Sequence, residues 1–192
     1  MSGHGFHVHG PHDHELEHAA QHGAHDPSSG TIAVVTAILA TVGALFSYMG
    51  GATQANAGLY KNNAAIKKTE ASNQWNYYQA KSSKQNLAEI AIVLAADDKR
   101  AGFKDEVERY KKEKAEIKLA AEKLEAESAD WDKQSDAQLH LHHRWAQATT
   151  ALQISIALAA IALLTKKRWL EVAMFVAGGA GVIVGGLAAL HI

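Results

Sequence analysis

The chain has 192 residues, with 19 Lys and Arg against 20 Asp and Glu and a formal net charge of -1. Basic residues alternate with acidic ones instead of gathering in a patch, which excludes nucleic acid as a partner. Cysteine is absent, so disulfides, thiolate zinc sites, iron–sulfur clusters and cysteine nucleophiles are excluded too.

Residues 1–29 form a tail rich in histidine and acids. It holds His4, His7, His9, His12, His14, His18, His22 and His25 and lacks Lys and Arg. On a short helix between Glu15 and His25, the residues His14, His18, His22 and His25 line one face. Imidazoles suit zinc, nickel and copper, so these four are the candidate metal ligands of the tail. Compositional His/Gly tails also serve as plain solvated segments, and both readings stand. Pro27-Ser28-Ser29-Gly30 is expected to break the chain and supply a hydroxyl cap for the next helix. The first apolar run follows an acidic tail and is too long for the core of a cleavable leader, so it is expected to stay in the mature protein.

Residues 30–52 form the first expected membrane span and contain no charged residue. A helix needs about 20 apolar residues to cross the hydrocarbon core. Thr36, Ala40, Gly43, Ser47 and Gly50 make a small-residue seam along it, which lets another helix approach closely.

Residues 53–147 lack proline and are dominated by strong helix formers. They are expected to form an extramembrane antiparallel helical hairpin, coiled-coil-like, with its turn near residues 97–102, where apolar periodicity lapses and Gly102 occurs. Asp97 and Asp98 then read as a solvated hairpin tip. A heptad register runs from Phe103 through Val107, Tyr110, Lys114, Ile117, Ala121, Leu124 and Ser128 to Trp131, and Lys114 and Ser128 are expected to weaken it. In the first arm Trp75 and Tyr78 share a helix face with Lys81 three residues on. This group reads as an aromatic packing layer or as an interaction site for a carbohydrate, a lipid headgroup or a partner.

Residues 148–165 and 169–190 are the second and third expected spans, separated by the basic Lys166-Lys167-Arg168. Ala151, Ser155, Ala159 and Ala162 line the second. Ala177, Gly181, Gly185 and Ala189 line the third at four-residue steps, with Gly181 and Gly185 as the central contact pair. Trp145 and Trp169 are expected to anchor at the membrane interface. His140 and His143 beside Arg144 are a second candidate metal or proton-sensing pair.

This order of parts resembles a widespread bacterial group of three-span membrane proteins classed as a domain of unknown function. The residues that carry the likeness are the His-rich amino terminus, Ala71-Ser72-Asn73-Gln74-Trp75-Asn76-Tyr77-Tyr78-Gln79-Ala80-Lys81-Ser82, and Thr165-Lys166-Lys167-Arg168-Trp169. The resemblance implies architecture and a bacterial membrane, without an activity to carry over.

An odd number of spans puts the amino terminus and the Lys166–Arg168 turn on one side of the bilayer, with the hairpin and carboxyl end on the other. Lys61, Lys67, Lys68 and Arg144 pull the hairpin toward the cytoplasm; Lys166, Lys167 and Arg168 pull the opposite side there. The boundary cluster outweighs a long loop, which places the amino terminus in the cytoplasm. The sequence contains no phosphate loop after a strand, no HExxH and no GxSxG, so no enzyme is expected. The expected protein is an all-α, multi-pass protein of the bacterial inner membrane. It self-associates, and its stalk contacts the same chain or another envelope protein in a structural, scaffold or accessory role. A metal-binding or metal-sensing role for the tail, and an oligomeric pore lined by Thr36, Ser47 or Gln153, are the alternatives.

Overall fold

The computed structural model describes residues 27–191, and the tail histidines His14, His18, His22 and His25 lie outside the described residues. The described residues are all-α: α1 (Pro27–Leu94), α2 (Asp97–Thr165) and α3 (Arg168–Ala189). Each helix contains a segment long and apolar enough to cross a membrane.

Pro27, expected to break the chain, is instead the first residue of α1. Proline fixes a helical φ and lacks only an N–H that the first turn does not use. The α1–α2 turn is at Ala95 and Ala96, just ahead of the expected 97–102 stretch. Asp97 and Asp98 sit in the first turn of α2, where the positive end of the helix dipole favours carboxylates. Arg100 bonds Asp97 at 2.7 Å and donates from Nε to the Ala95 carbonyl at 3.0 Å. The acidic pair therefore starts a helix, and Gly102 lies within that helix. Between α2 and α3, Lys166 adopts φ 51 and donates its N–H to the Ala162 carbonyl at 2.8 Å, which closes α2.

The described residues divide into two compact units, 27–54 with 139–191 and 55–138. In the first, parts of α1, α2 and α3 pack around Leu152, Met174, Ala148 and Ala159, all fully buried. Ile32, Ala159 and Met174 form one apolar cluster, flanked by Val35, Leu158 and Leu163. Small residues make this packing close. On α3 the buried stripe is Leu170, Met174, Gly178, Gly181, Gly185 and Ala188, stepping by four and three. A strict four-residue step drifts around a helix of 3.6 residues per turn, which is why Ala189 of the expected seam is exposed and Gly178 is buried. On α1 the inward row is Thr36, Leu39, Gly43, Phe46 and Gly50, so Ala40 and Ser47, one residue further round the helix, are exposed.

In the second unit the two helical segments run antiparallel, with ion pairs Lys61–Asp132 at 2.6 Å, Lys68–Glu125 at 3.4 Å and Lys67–Glu127 at 3.3 Å along their rim. The expected register from Phe103 to Trp131 is the inward face: each of its residues is buried or half-buried. Ala57, Ala64 and Ala71 face it from α1 at seven-residue steps, all buried. Ala71 and Ala121 are completely enclosed. Alanine at such positions leaves no long side chain to hold the helices apart.

Candidate functional site

The second unit holds the densest group of functional side chains, and it is built on the segment around Trp75. Successive helix turns bring Trp75, Tyr78, Lys81 and Gln85 to one side of α1. The Trp75 and Tyr78 rings meet edge to face with centroids 5.7 Å apart. From α2, Tyr110, Glu113 and Lys114 approach at helical spacing. Lys81 Nζ makes an ion pair with Glu113 and stands 5.1 Å from the centroid of the Tyr77 ring and 5.6 Å from that of Tyr110. Lys114 Nζ lies 5.0 Å from the centroid of the Tyr78 ring and donates to Gln85 Oε1 at 3.1 Å. Arg109 covers the outer side, with its guanidinium 4.9 Å from the Tyr110 ring and its Nε 3.7 Å from Glu113 Oε1.

The electrostatics follow from this geometry. Glu113 is held below the usual carboxylate range, first by the Lys81 ammonium and then, against the opposing effect of burial, by the more distant charges of Arg109 and Lys84. Lys81 is raised by its bond to Glu113 and, next, by the Tyr77 hydroxyl. Both groups are therefore charged at neutral pH, each the other's counter-ion. A lysine that is already paired and enclosed by rings is not an available nucleophile or base. The arrangement is suited to holding the two helices together: cations sit over aromatic faces, an interaction of about 0.5–1 kcal/mol at exposed sites. The sequence-derived trio of Trp75, Tyr78 and Lys81 is thus divided. Trp75 and Tyr78 are in contact, whereas Lys81 belongs with Glu113, Tyr77 and Tyr110.

A second theme is the hydroxyl that reaches a carbonyl on another helix. Ser128 Oγ donates to the Ala64 carbonyl at 2.9 Å and Ser135 Oγ to Ala57 at 2.8 Å. Within the apolar unit, Ser155 Oγ donates to the Met174 carbonyl at 2.7 Å. A serine side chain is short, so such a bond forms only where backbones are close. Ser128 and Lys114, expected to weaken the heptad seam, are instead cross-links within it, because a small hydroxyl and a ring-capped ammonium both find partners there. Sequence reasoning placed Tyr110 on the inward register but missed Tyr77, Glu113 and Ser135 as parts of these contacts; for Ser135 its seven-residue spacing from Ser128 was the available signal.

His142 makes a related contact in the apolar unit, with Nδ1 2.9 Å from the Gly50 carbonyl. A carbonyl only accepts, so Nδ1 carries the proton here. Its neighbours His140 and His143, the expected metal or proton-sensing pair, are exposed. The His142 and His143 rings stand 5.6 Å apart. Among the described residues, no three His, Asp or Glu side chains converge in a metal-ligating group. Trp145, expected at a membrane interface, is 4% exposed and packs on Phe46 with ring centroids 5.2 Å apart. Gly50 lies against it, and a Cβ there would make an ordinary van der Waals contact with Trp145 Cβ at 3.4 Å. Trp169, in contrast, is 65% exposed.

Gly181 and Gly185 meet partners within the chain. A Cβ on Gly181 would lie 2.8 Å from Leu152 Cδ2 and 3.1 Å from the Ala148 carbonyl oxygen, and one on Gly185 would overlap the Phe46 ring. An open apolar groove lies beside this seam, lined by Val35, Leu39, Phe175, Gly178, Val182 and Ile183 among others.

No curated protein and no solved structure matches the chain. A family model does, over residues 28–191, a range that takes in both units and every contact described above. The chain belongs to this family, described as Domain of unknown function (DUF4337).

Proposed function

We propose that the protein is a non-enzymatic, homo-oligomeric integral membrane protein with a structural, scaffold or accessory-subunit role, and that residues 55–138 form a helical stalk outside the lipid. What carries this reading is the contrast in exposed chemistry between the two units. The apolar unit presents Val34, Ile38, Leu45, Leu164, Val172 and Val176 outward, a surface that favours lipid tails over water. The hairpin unit presents ion pairs and lysines, which favour water. The hairpin's central charges and hydroxyls are partnered across the helix pair, Lys81 with Glu113 and Ser128 with the Ala64 carbonyl.

The bacterial inner membrane is the proposed location, with Lys166, Lys167 and Arg168 on the cytoplasmic side together with the amino terminus. The partners are the bilayer, other copies of the chain and, through the stalk, a further envelope protein. Mass photometry in mild detergent tests the assembly: the expected result is a species larger than one chain, and a strictly monomeric protein would refute it. Alkaline washing of membranes tests insertion, with the chain expected to stay in the pellet. Protease treatment of spheroplasts tests orientation, with the hairpin expected to be cut before lysis.

A further inference from the structure

The two hairpin helices differ on the faces turned away from each other. On α2 the outer face is mostly charged, with Lys104, Asp105, Lys112, Glu116 and Lys123 all exposed, and Leu119 and Ala126 interrupt it. On α1 it is not. Leu59, Ile66, Asn73, Ala80, Leu87 and Leu94 recur at seven-residue steps, and every one is exposed. Three residues after each of the first five stand Asn, Thr, Asn, Ser and Ile, from Asn62 to Ile90, also exposed. The row just before the first set, from Gly58 to Val93, is again uncharged and exposed. Lys61, Lys68, Glu70, Lys84 and Glu89 fall on the flanks of this arc and none on it. Leu87 is 66% and Leu94 80% exposed, a large apolar area for a helix whose other side is already packed.

A heptad of apolar and neutral polar residues opposite the hairpin's own seam is a second helix-pairing face. We infer that the partner seated on it is α1 of a second copy of this chain, running parallel; this rests on the oligomeric membrane reading above. Three observations select that occupant. The stripe from Leu59 to Leu94 is about 50 Å long at 1.5 Å per residue, and a helix that pairs along it must offer an equally long, charge-free heptad. α1 itself does so, whereas the outer face of α2 would bury Lys and Glu without partners. Copies inserted in one bilayer with one topology carry α1 in the same direction, so identical positions meet. Asn73 then faces Asn73 and Asn62 faces Asn62, and a paired asparagine in a seam hydrogen-bonds across it and fixes register. The only charges flanking the seam on its open side, Glu70 and Lys84, would face the uncharged row of the other copy, so no like charges oppose. The arc supplies on the order of 20 residues a side, the size of a specific protein interface.

The absence of cysteine gives a clean test in the full chain, reconstituted in phosphatidylethanolamine–phosphatidylglycerol vesicles. Single cysteines are placed by Asn73→Cys and Leu87→Cys on the stripe, Lys123→Cys on the outer face of α2 and Val176→Cys on the apolar unit, and each protein is oxidised with copper phenanthroline. The expected result is most of the chain as a disulfide-linked dimer for Asn73→Cys and Leu87→Cys, with Lys123→Cys remaining monomeric. Leu87→Lys is expected to dissociate the oligomer in mass photometry while leaving helix content unchanged. Stripe cysteines that cross-link no faster than Lys123→Cys overturn the proposal. An intact oligomer that cross-links only through Val176→Cys overturns this surface and leaves the oligomeric reading standing, whereas a monomeric unmodified chain overturns both.

Discussion

The apolar unit and the hairpin unit are built inside by one rule and outside by two. In both, helices approach through small residues, and in both a buried serine donates across to the neighbouring helix's backbone: Ser155 to Met174 in one, Ser128 to Ala64 in the other. Their surfaces share nothing of this. The first exposes Val34, Leu45 and Leu164; the second exposes Lys61, Lys68 and Asp132 beside one apolar row on α1 that includes Leu87 and Leu94. The interior of a close-packed helix pair is therefore indifferent to its solvent. The solvent is recorded on the outward positions, and a helix such as α1 changes its outward chemistry along its length without changing its packing pattern.

The comparison breaks first at the glycines. Gly181→Leu places a branched side chain where Leu152 and the Ala148 carbonyl already stand, and overpacking of this kind costs about 1–3 kcal/mol. Gly179→Leu, on the open side with nothing within 4 Å of its Cβ, is expected to leave the thermal unfolding midpoint in detergent nearly unchanged. If both variants unfold alike, the α3 stripe is not an interior surface, and the shared packing rule fails. The serines sharpen the same point with a smaller effect. Ser155→Ala and Ser128→Ala each remove one hydrogen bond, worth about 0.5–1.5 kcal/mol net. The accepting carbonyls retain their helical partners, so similar losses are expected in the two units despite their different surroundings.

How far the sequence could be read follows from which property each feature depends on. Three apolar segments and a proline-free, Lys- and Glu-rich middle announce helices and an approximate architecture, because length and hydropathy are local. The heptad from Phe103 to Trp131 was legible for the same reason: periodicity alone selects the inward face. Helix ends were less so. Asp97 and Asp98 look like loop residues by polarity, and only their position relative to Leu94 and Arg100 makes them a helix start. Pairing across helices was hardest. Nothing local to Lys81 says that Glu113 will meet it, or that Trp145 will turn inward onto Phe46 instead of toward a lipid interface. Those contacts depend on the register of two segments far apart in the chain.

The Lys81–Glu113 pair distinguishes register from mere surface charge. Glu113 is lowered by Lys81, so the unfolded chain binds the proton more readily than the folded one. The pair's contribution is present above the ordinary glutamate value of about 4.3 and is lost as pH falls through the lower folded value. Lys81, raised by Glu113, gives the opposite limit: its contribution is complete below about pH 10.4 and is lost as pH rises through the folded value. Glu113→Gln is therefore expected to lower the helix melting midpoint at neutral pH, with the variant and natural curves converging in acid. Parallel curves across the acid range would mean that the pair does not couple to folding.

The smallest effect belongs to the shortest hydrogen-bonded ion pair on the exposed rim. Lys61 and Asp132 are 2.6 Å apart, yet their side chains are 63% and 47% exposed, so water and salt screen the attraction and the long Lys61 side chain must be ordered to make it. Lys61→Ala is expected to leave the melting midpoint within experimental scatter at physiological ionic strength. Ser135→Ala is the control that decides the cause, because Ser135 bonds the Ala57 carbonyl from the buried face nearby. A larger loss from Lys61→Ala than from Ser135→Ala would make rim charge, and not close backbone approach, the force that holds this end of the helix pair together.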